Sequence, residues 1–365
     1  MPGVYISFPF CGQKCTYCNF ASGVFPQTLE ARYLAAVRAE IQSHEWRWKS
    51  ETVYLGGGTP GNLDEDGLRG LLDAIPGRPW AEATVEAAPG SITRERVGMW
   101  RALGVNRISL GVQSFVSREL ARTGRKHTAD TVRADVARLR TGGIHDFNID
   151  LIAGLPGQTR ASWSESLEWV ERLEAPHVSV YMLEIDEDSR LGREILQGGG
   201  RYGAGDVPSE ELTVELYERA VERLGRMGLR RYEISNFAQP GYESRHNLKY
   251  WRLEPYAGFG ADAHSFDGAT RSRNVESPQD YLARYEAGES PRLETTPARL
   301  AEERFFVGLR LSEGIRPSAA EWQQLAAPIQ RFLDAGLLAT DGETLRLTER
   351  GVMLSNEVFQ EFIDI

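Results

Sequence analysis

Short runs of apolar and β-branched residues recur along the first half of the chain with amphipathic stretches between them. This alternation builds a parallel sheet with helical crossovers. The runs fall at residues 4–8, 52–55, 83–87, 107–112, 148–152 and 177–183, and each is read as a strand. A long helix is expected over about 28–48, capped by Thr28. Val132, Val136 and Leu139 repeat at intervals of four and three before a Gly142-Gly143 stop, and Trp163, Leu167 and Val170 keep similar spacing. These stripes build core. The pattern leaves two α/β architectures open, a doubly wound open sheet and a partial (β/α)6 barrel of the TIM type. The crossover lengths suit the barrel, and in either case the chemistry belongs at the carboxyl ends of the strands.

The second half reads differently. Residues 198–205 form a glycine-rich loop before a helix that starts near Ser209 and stops at Gly228. Residues 236–275 lack periodicity and are read as a functional excursion. From about residue 296 the pattern becomes helices and one hairpin turning at Asp341-Gly342, a small winged-helix-like α+β domain. The expected organisation is a barrel over 1–235, an extension over 236–295 and a C-terminal domain over 296–365.

Composition narrows the function. The chain has 365 residues, 41% hydrophobic and 26% charged, which suits a soluble protein with a sizeable core. A formal net charge of -10 argues against nucleic acid as a partner. No apolar run is long enough to span a membrane, and the first residues lack the pattern of a signal peptide, so a cytoplasmic protein is expected, with membrane contact only through a partner. All three cysteines, Cys11, Cys15 and Cys18, lie in one C-x3-C-x2-C loop directly after the first strand. Three thiolates this close can hold one metal centre. A structural zinc would need a fourth ligand, for which His127, His246 or His264 is available; an iron-sulfur cluster held by three thiolates keeps one iron open.

Strand ends carry further chemistry. Gly56-Gly57-Gly58-Thr59-Pro60 follows the second strand, where glycines let backbone groups approach a ligand closely. Glu86 lies in the third strand, Gln113 follows the fourth and Asp150 lies in the fifth.

The C-x3-C-x2-C spacing, with aromatic Tyr17 before the last cysteine, resembles the radical S-adenosylmethionine (SAM) superfamily. That resemblance implies a 4Fe-4S cluster on Cys11, Cys15 and Cys18, with SAM on the open iron. It tightens to the oxygen-independent coproporphyrinogen III oxidase family through residues 5–11, 53–60, 85–90, 104–115, 124–127 and 148–159. Carried over, Tyr5 and Tyr17 border the cluster and SAM, while Gly57, Gly58 and Thr59 offer backbone and hydroxyl contacts. Glu86 takes the SAM amino or ribose side, and Gln113, Arg125 and Asp150 complete the pocket. The charges suit a sulfonium zwitterion, which needs an anion for its ammonium and a cation for its carboxylate. Family members often have His where Ser7 stands and Asn where Ala88 stands; neither departure removes a cluster ligand.

Two features divide that family. True oxidases place a fourth cysteine two residues after the third, where this chain has Phe20. His246-Asn247-Leu248-Lys249-Tyr250-Trp251 matches the HNxxYW motif of the HemW-type haem chaperone branch. The resemblance implies that His246 ligates haem iron, that Tyr250 and Trp251 pack on the porphyrin, and that Arg245 or Lys249 meets propionates. It also implies an apo-haemoprotein recipient, a homodimer in the cluster-loaded state, and an electron donor if SAM is cleaved. Oxidative decarboxylation of coproporphyrinogen III, or a methyltransferase or haem-opening reaction using a second SAM, stands as the enzymatic alternative. No catalytic residue is assigned.

Overall fold

The computed structural model describes residues 2–363. Six strands lie where apolar runs predict them: β1 (Gly3–Phe8), β2 (Thr52–Gly57), β3 (Glu82–Ala87), β4 (Arg107–Gln113), β5 (Asp146–Ala153) and β6 (His177–Met182). They pair in parallel in sequence order. That order decides between the two architectures, because a doubly wound sheet reverses at a switch point and this one never does. The sheet is the arc of a partial barrel.

Helices cover the outside of the arc. The first runs Gln27–Ser43 rather than 28–48; its N-cap position is Pro26, with no side-chain cap, so Thr28 lies inside the first turn. Val132, Val136 and Leu139 are buried on the helix Ala129–Thr141, and Trp163, Leu167 and Val170 on Arg160–Arg172. Both helices close with a capping box at the amino end, from Thr128 and Thr159. Ser209 caps the helix Glu210–Arg226, as its position suggests. Within 198–205 the chain enters a short 3-10 turn, Arg201–Asp206.

Residues 236–275, which show no period in sequence, form a short helix and short strands that extend both ends of the sheet. After β7 (Arg230–Arg231), the strand β8 (Asn236–Ala238) pairs antiparallel with β6. The helix Arg245–Trp251 follows, then β9 (Tyr256–Phe259) pairs parallel with β1 at the other end of the arc. β10 (His264–Phe266), β11 (Thr270–Asn274) and β12 (Arg292–Pro297) extend that edge antiparallel. These strands are two to six residues long, too short to show a period in sequence. The C-terminal part combines five short helices with the hairpin β13 (Leu338–Thr340) and β14 (Leu345–Leu347) around its own core, which includes Phe305, Ile329, Phe332 and Phe362.

Candidate functional site

The cysteine loop leaves the carboxyl end of β1 and is pinned by backbone bonds on both sides. Cys11 N donates to Gly23 O at 2.8 Å, and Gly23 N to Pro9 O at 2.9 Å. Thr16 N donates to Thr123 O and Thr16 O accepts from Leu191 N. All three thiols are free and half-buried. Burial pushes the Cys11 thiol up; hydroxyls of Ser22 and Thr59 oppose this, and Cys18 and Cys15 add to it. Among the described residues no three Cys, His, Asp or Glu groups close around a single metal ion. The three histidines available to a zinc site are engaged or distant: His127 bonds Val112 O at 3.1 Å, His246 lies at the opposite end of the barrel, and His264 sits on β10. The donor set fits a larger multi-iron centre with one position left to an outside ligand.

The glycine run beside the thiols forms a cradle. Gly57 adopts φ +106°, and a Cβ on Gly58 would lie 2.5 Å from Phe10 O. Gly57 N donates to Glu86 Oε2 at 3.0 Å, and the Tyr54 hydroxyl donates to Glu86 Oε1 at 2.8 Å. Burial raises the Glu86 carboxyl to about 7, with Asp150 adding to the rise and the Tyr54 and Gly57 bonds opposing it. Tyr5 faces Tyr54 with ring centroids 6.1 Å apart.

Across the mouth, Arg125 donates to Gly111 O at 2.6 Å and to the Tyr17 hydroxyl at 3.3 Å, and forms no salt bridge among the described residues. Gln113, at φ +71°, turns the end of β4 so that its amide and Arg125 converge over Gly111. Asp150 accepts from Asn148 Nδ2 at 2.6 Å and Ser109 Oγ at 3.3 Å; burial raises its carboxyl. One mouth thus holds three thiols, a buried acid, an unpaired cation and hydroxyl acceptors. Those are the groups that a sulfonium zwitterion on an iron-sulfur centre requires.

His246, Tyr250 and Trp251 are elsewhere. The helix Arg245–Trp251 closes the amino end of the strands, against Thr52 and Glu82, the first residues of β2 and β3. His246 is 1% exposed. Its Nδ1 bonds Thr52 Oγ1 and its Nε2 bonds the Tyr250 hydroxyl, each at 2.8 Å. Burial first, then Lys249, depresses its imidazole to about 3, so the ring is neutral. Lys249 is also buried, paired with Glu51 at 2.6 Å and Glu254 at 3.1 Å, and is not offered to a propionate; Arg245 is exposed.

The structure also brings in residues that the motif reading passed over. Buried Glu82 accepts from Arg245 N at 2.7 Å, His246 N at 3.1 Å and Ser244 Oγ at 3.1 Å, anchoring the helix start. Tyr54, Ser109, Asn148 and Ser179 line the lumen between the two ends.

Sequence comparison decides the family. A Radical SAM superfamily profile matches residues 5–170, and a HemN C-terminal domain profile matches 295–354. The Bacillus subtilis protein named heme chaperone HemW is 34% identical over 386 aligned positions, covering 100% of this chain and 99% of that protein. The chain belongs to the HemW family. Heme chaperone HemW of Lactococcus lactis is also 34% identical, over 98% of this chain and 96% of its own length. Bovine radical S-adenosyl methionine domain-containing protein 1, mitochondrial, is 31% identical over 96% of this chain and 81% of its own. The solved coproporphyrinogen III oxidase HemN of Escherichia coli, a radical SAM enzyme, shares the fold with a TM-score of 0.84 at 22% identity, over 100% of this chain and 90% of that one. The Radical SAM superfamily match implies a 4Fe-4S cluster and SAM. No helix among the described residues is long and apolar enough to cross a membrane.

Proposed function

We propose that this chain is a haem chaperone that carries a 4Fe-4S cluster and SAM in the barrel mouth and passes haem to an apo-haemoprotein. The observation that carries the reading is full-length likeness to HemW proteins together with Phe20, 67% exposed, at the position where the oxidases have a fourth cysteine. Cys11, Cys15 and Cys18 would hold the cluster, Glu86 the SAM ammonium and Arg125 its carboxylate. When bound, the cluster can supply an electron to SAM. The chain's own contribution is a dry, charged mouth: Tyr5 and Tyr17 flank it, and Gly57 and Gly58 bring backbone close to the ligand.

His246 does not fit an open haem ligand in this conformation, because both ring nitrogens are bonded and the ring is buried. A ligand role for His246 therefore requires the helix Arg245–Trp251 to leave its seat. In the seated form the helix closes the amino end of the barrel. The cytoplasm is the compartment we infer, with no direct membrane contact.

The test is anaerobic reconstitution followed by two assays, haem titration and product analysis with coproporphyrinogen III. The reading expects stoichiometric haem uptake, transfer to an apo-haemoprotein and no decarboxylated product. Tri- or dipropionate products at multiple turnovers would replace it with the oxidase reading.

A further inference from the structure

Tyr54, on β2, has a partner on each side. Toward the barrel mouth its hydroxyl donates to Glu86 Oε1 at 2.8 Å. Toward the amino end its ring lies on the His246 imidazole, with centroids 5.3 Å and planes 25° apart, and Tyr5 of β1 stacks on it at 6.1 Å and 22°. Two glycines make the space for this column. A Cβ on Gly56 would lie 2.8 Å from the Tyr54 ring and 2.9 Å from Glu86 Oε1, and one on Gly3 would lie 2.9 Å from Thr52 Oγ1 and 3.2 Å from His246 Cε1.

The helix that carries His246 has a polar and incomplete seat. Thr52 Oγ1 bonds His246 Nδ1 at 2.8 Å, and Glu82 accepts from the backbone N–H groups of Arg245 and His246. At the other end of the helix the Trp251 indole Nε1 is buried with no acceptor, and the Arg310 guanidinium that stacks on that indole at 4.5 Å leaves its Nε unbonded as well. Buried donors without acceptors count against the seated form and narrow its margin over a withdrawn one.

We propose that Tyr54 is a positioning residue that couples the two ends of the barrel: with His246 beneath it, its hydroxyl holds Glu86 at the glycine cradle, and withdrawal of the helix Arg245–Trp251 frees that hydroxyl. A bond from Tyr54 to a carboxylate engaged by an ammonium is charge-assisted and strong. Glu86 engaged by SAM therefore keeps Tyr54 in place and the helix seated, with His246 covered. Withdrawal of the helix weakens SAM binding by the same factor, because coupling between two sites is reciprocal. The inference rests on the reading of Glu86 as the acid that meets SAM and adds the regulation of that site.

Hydrogen exchange of the full, cluster-loaded chain with and without SAM tests this, together with SAM affinity by anaerobic calorimetry. In the wild type, SAM slows exchange of residues 245–251 by about fivefold or more. Tyr54→Phe keeps the ring against His246 and removes the bond to Glu86; SAM still binds, and that exchange no longer responds to it. Thr52→Val loosens His246 from the amino end of β2, away from the mouth, and weakens SAM affinity severalfold; in the Tyr54→Phe background the same change leaves SAM affinity unmoved. A Tyr54 that only supports the fold gives additive losses in this cycle. Exchange of residues 245–251 that does not respond to bound SAM in the wild type, or additive effects of Thr52→Val and Tyr54→Phe, would overturn the coupling. No SAM binding by the cluster-loaded wild type removes the reading of the mouth, and the coupling with it.

Discussion

The Tyr54 hydroxyl donates to Glu86 Oε1 at 2.8 Å, and the other side of the same ring stacks on His246 with centroids 5.3 Å apart. One side chain on β2 therefore touches both the acid beneath the glycine cradle and the helix that closes the amino end of the barrel. The lumen is a continuous polar column. Below Tyr54, His246 is held by Thr52 and Tyr250; beside it, Asn148 bonds Ser109, Asp150 and His177.

Glu86 should behave as a proton-linked receptor for a cation. Its carboxyl is raised from 4.5 to about 7, chiefly by burial, so without a ligand it is half-protonated at neutral pH. An ammonium beside it favours the carboxylate, and binding releases a proton. SAM affinity of the cluster-loaded protein is expected to fall as pH drops from 8 to 6, by up to about tenfold per unit, and Glu86→Gln should flatten that dependence. Calorimetry in two buffers of different ionisation enthalpy measures the proton. The sign for stability is opposite: a raised acid is destabilising above its unfolded value, so Glu86→Gln without SAM should gain about 1–2 kcal/mol at pH 8 in urea unfolding.

His246 works in the other direction. A folded-state value depressed from 6.5 to about 3 means that the unfolded chain binds a proton before the folded one does. The seat of the helix Arg245–Trp251 is fully stable above pH 6.5 and weakens as pH falls toward 3, by about 1.4 kcal/mol per unit where the linkage is complete. Hydrogen exchange of residues 245–251 is expected to accelerate below pH 6 well before the barrel strands respond. Exchange that stays flat to pH 4 would show that His246 is not the latch.

Glu82 holds the start of that helix through three donors. Replacing it with Ala leaves those donors unpaired beside the buried Arg107, whose own partner is Asp146, and should cost about 3 kcal/mol or more. If His246 ligates haem after release, a milder Glu82→Gln change should raise the rate of haem uptake, and a second His246→Ala change should abolish the gain. Unchanged uptake in both would place the haem ligand elsewhere.

The strands and the cysteine loop were legible because each has a strong local signature: an apolar run, or three thiols in eight residues. Thr52 and Tyr54, Glu82, Thr84 and Glu86, Arg107 and Ser109, Asn148 and Asp150, and His177 and Ser179 carried a further signal. Polar groups at every second position on five strands mark a polar lumen. The lumen partners Tyr54, Ser109 and Asn148 could have been named from it. The seat of His246 could not, because Thr52 and Glu82 lie more than 150 residues away in sequence and a seven-residue helix has too few turns for a period. The strands from residue 236 on hid for the same reason, being short and set by long-range pairing, β8 with β6 and β9 with β1.

Phe20 should be tolerant. At 67% exposed it contributes little to the core, so Phe20→Cys is expected to shift stability by less than about 0.5 kcal/mol and to leave the product profile with coproporphyrinogen III unchanged. Chromatography of anaerobic reactions reads this. Appearance of decarboxylated product would show that this one position separates chaperone from oxidase.

The most direct test of the account is Mössbauer and metal analysis of anaerobically reconstituted protein before and after SAM addition. Four irons per chain, lost together in Cys11→Ser, with one iron site changing its isomer shift when SAM is added, is the expected result. One tetrahedral zinc per chain, or a four-iron spectrum that SAM leaves unmoved, would contradict it.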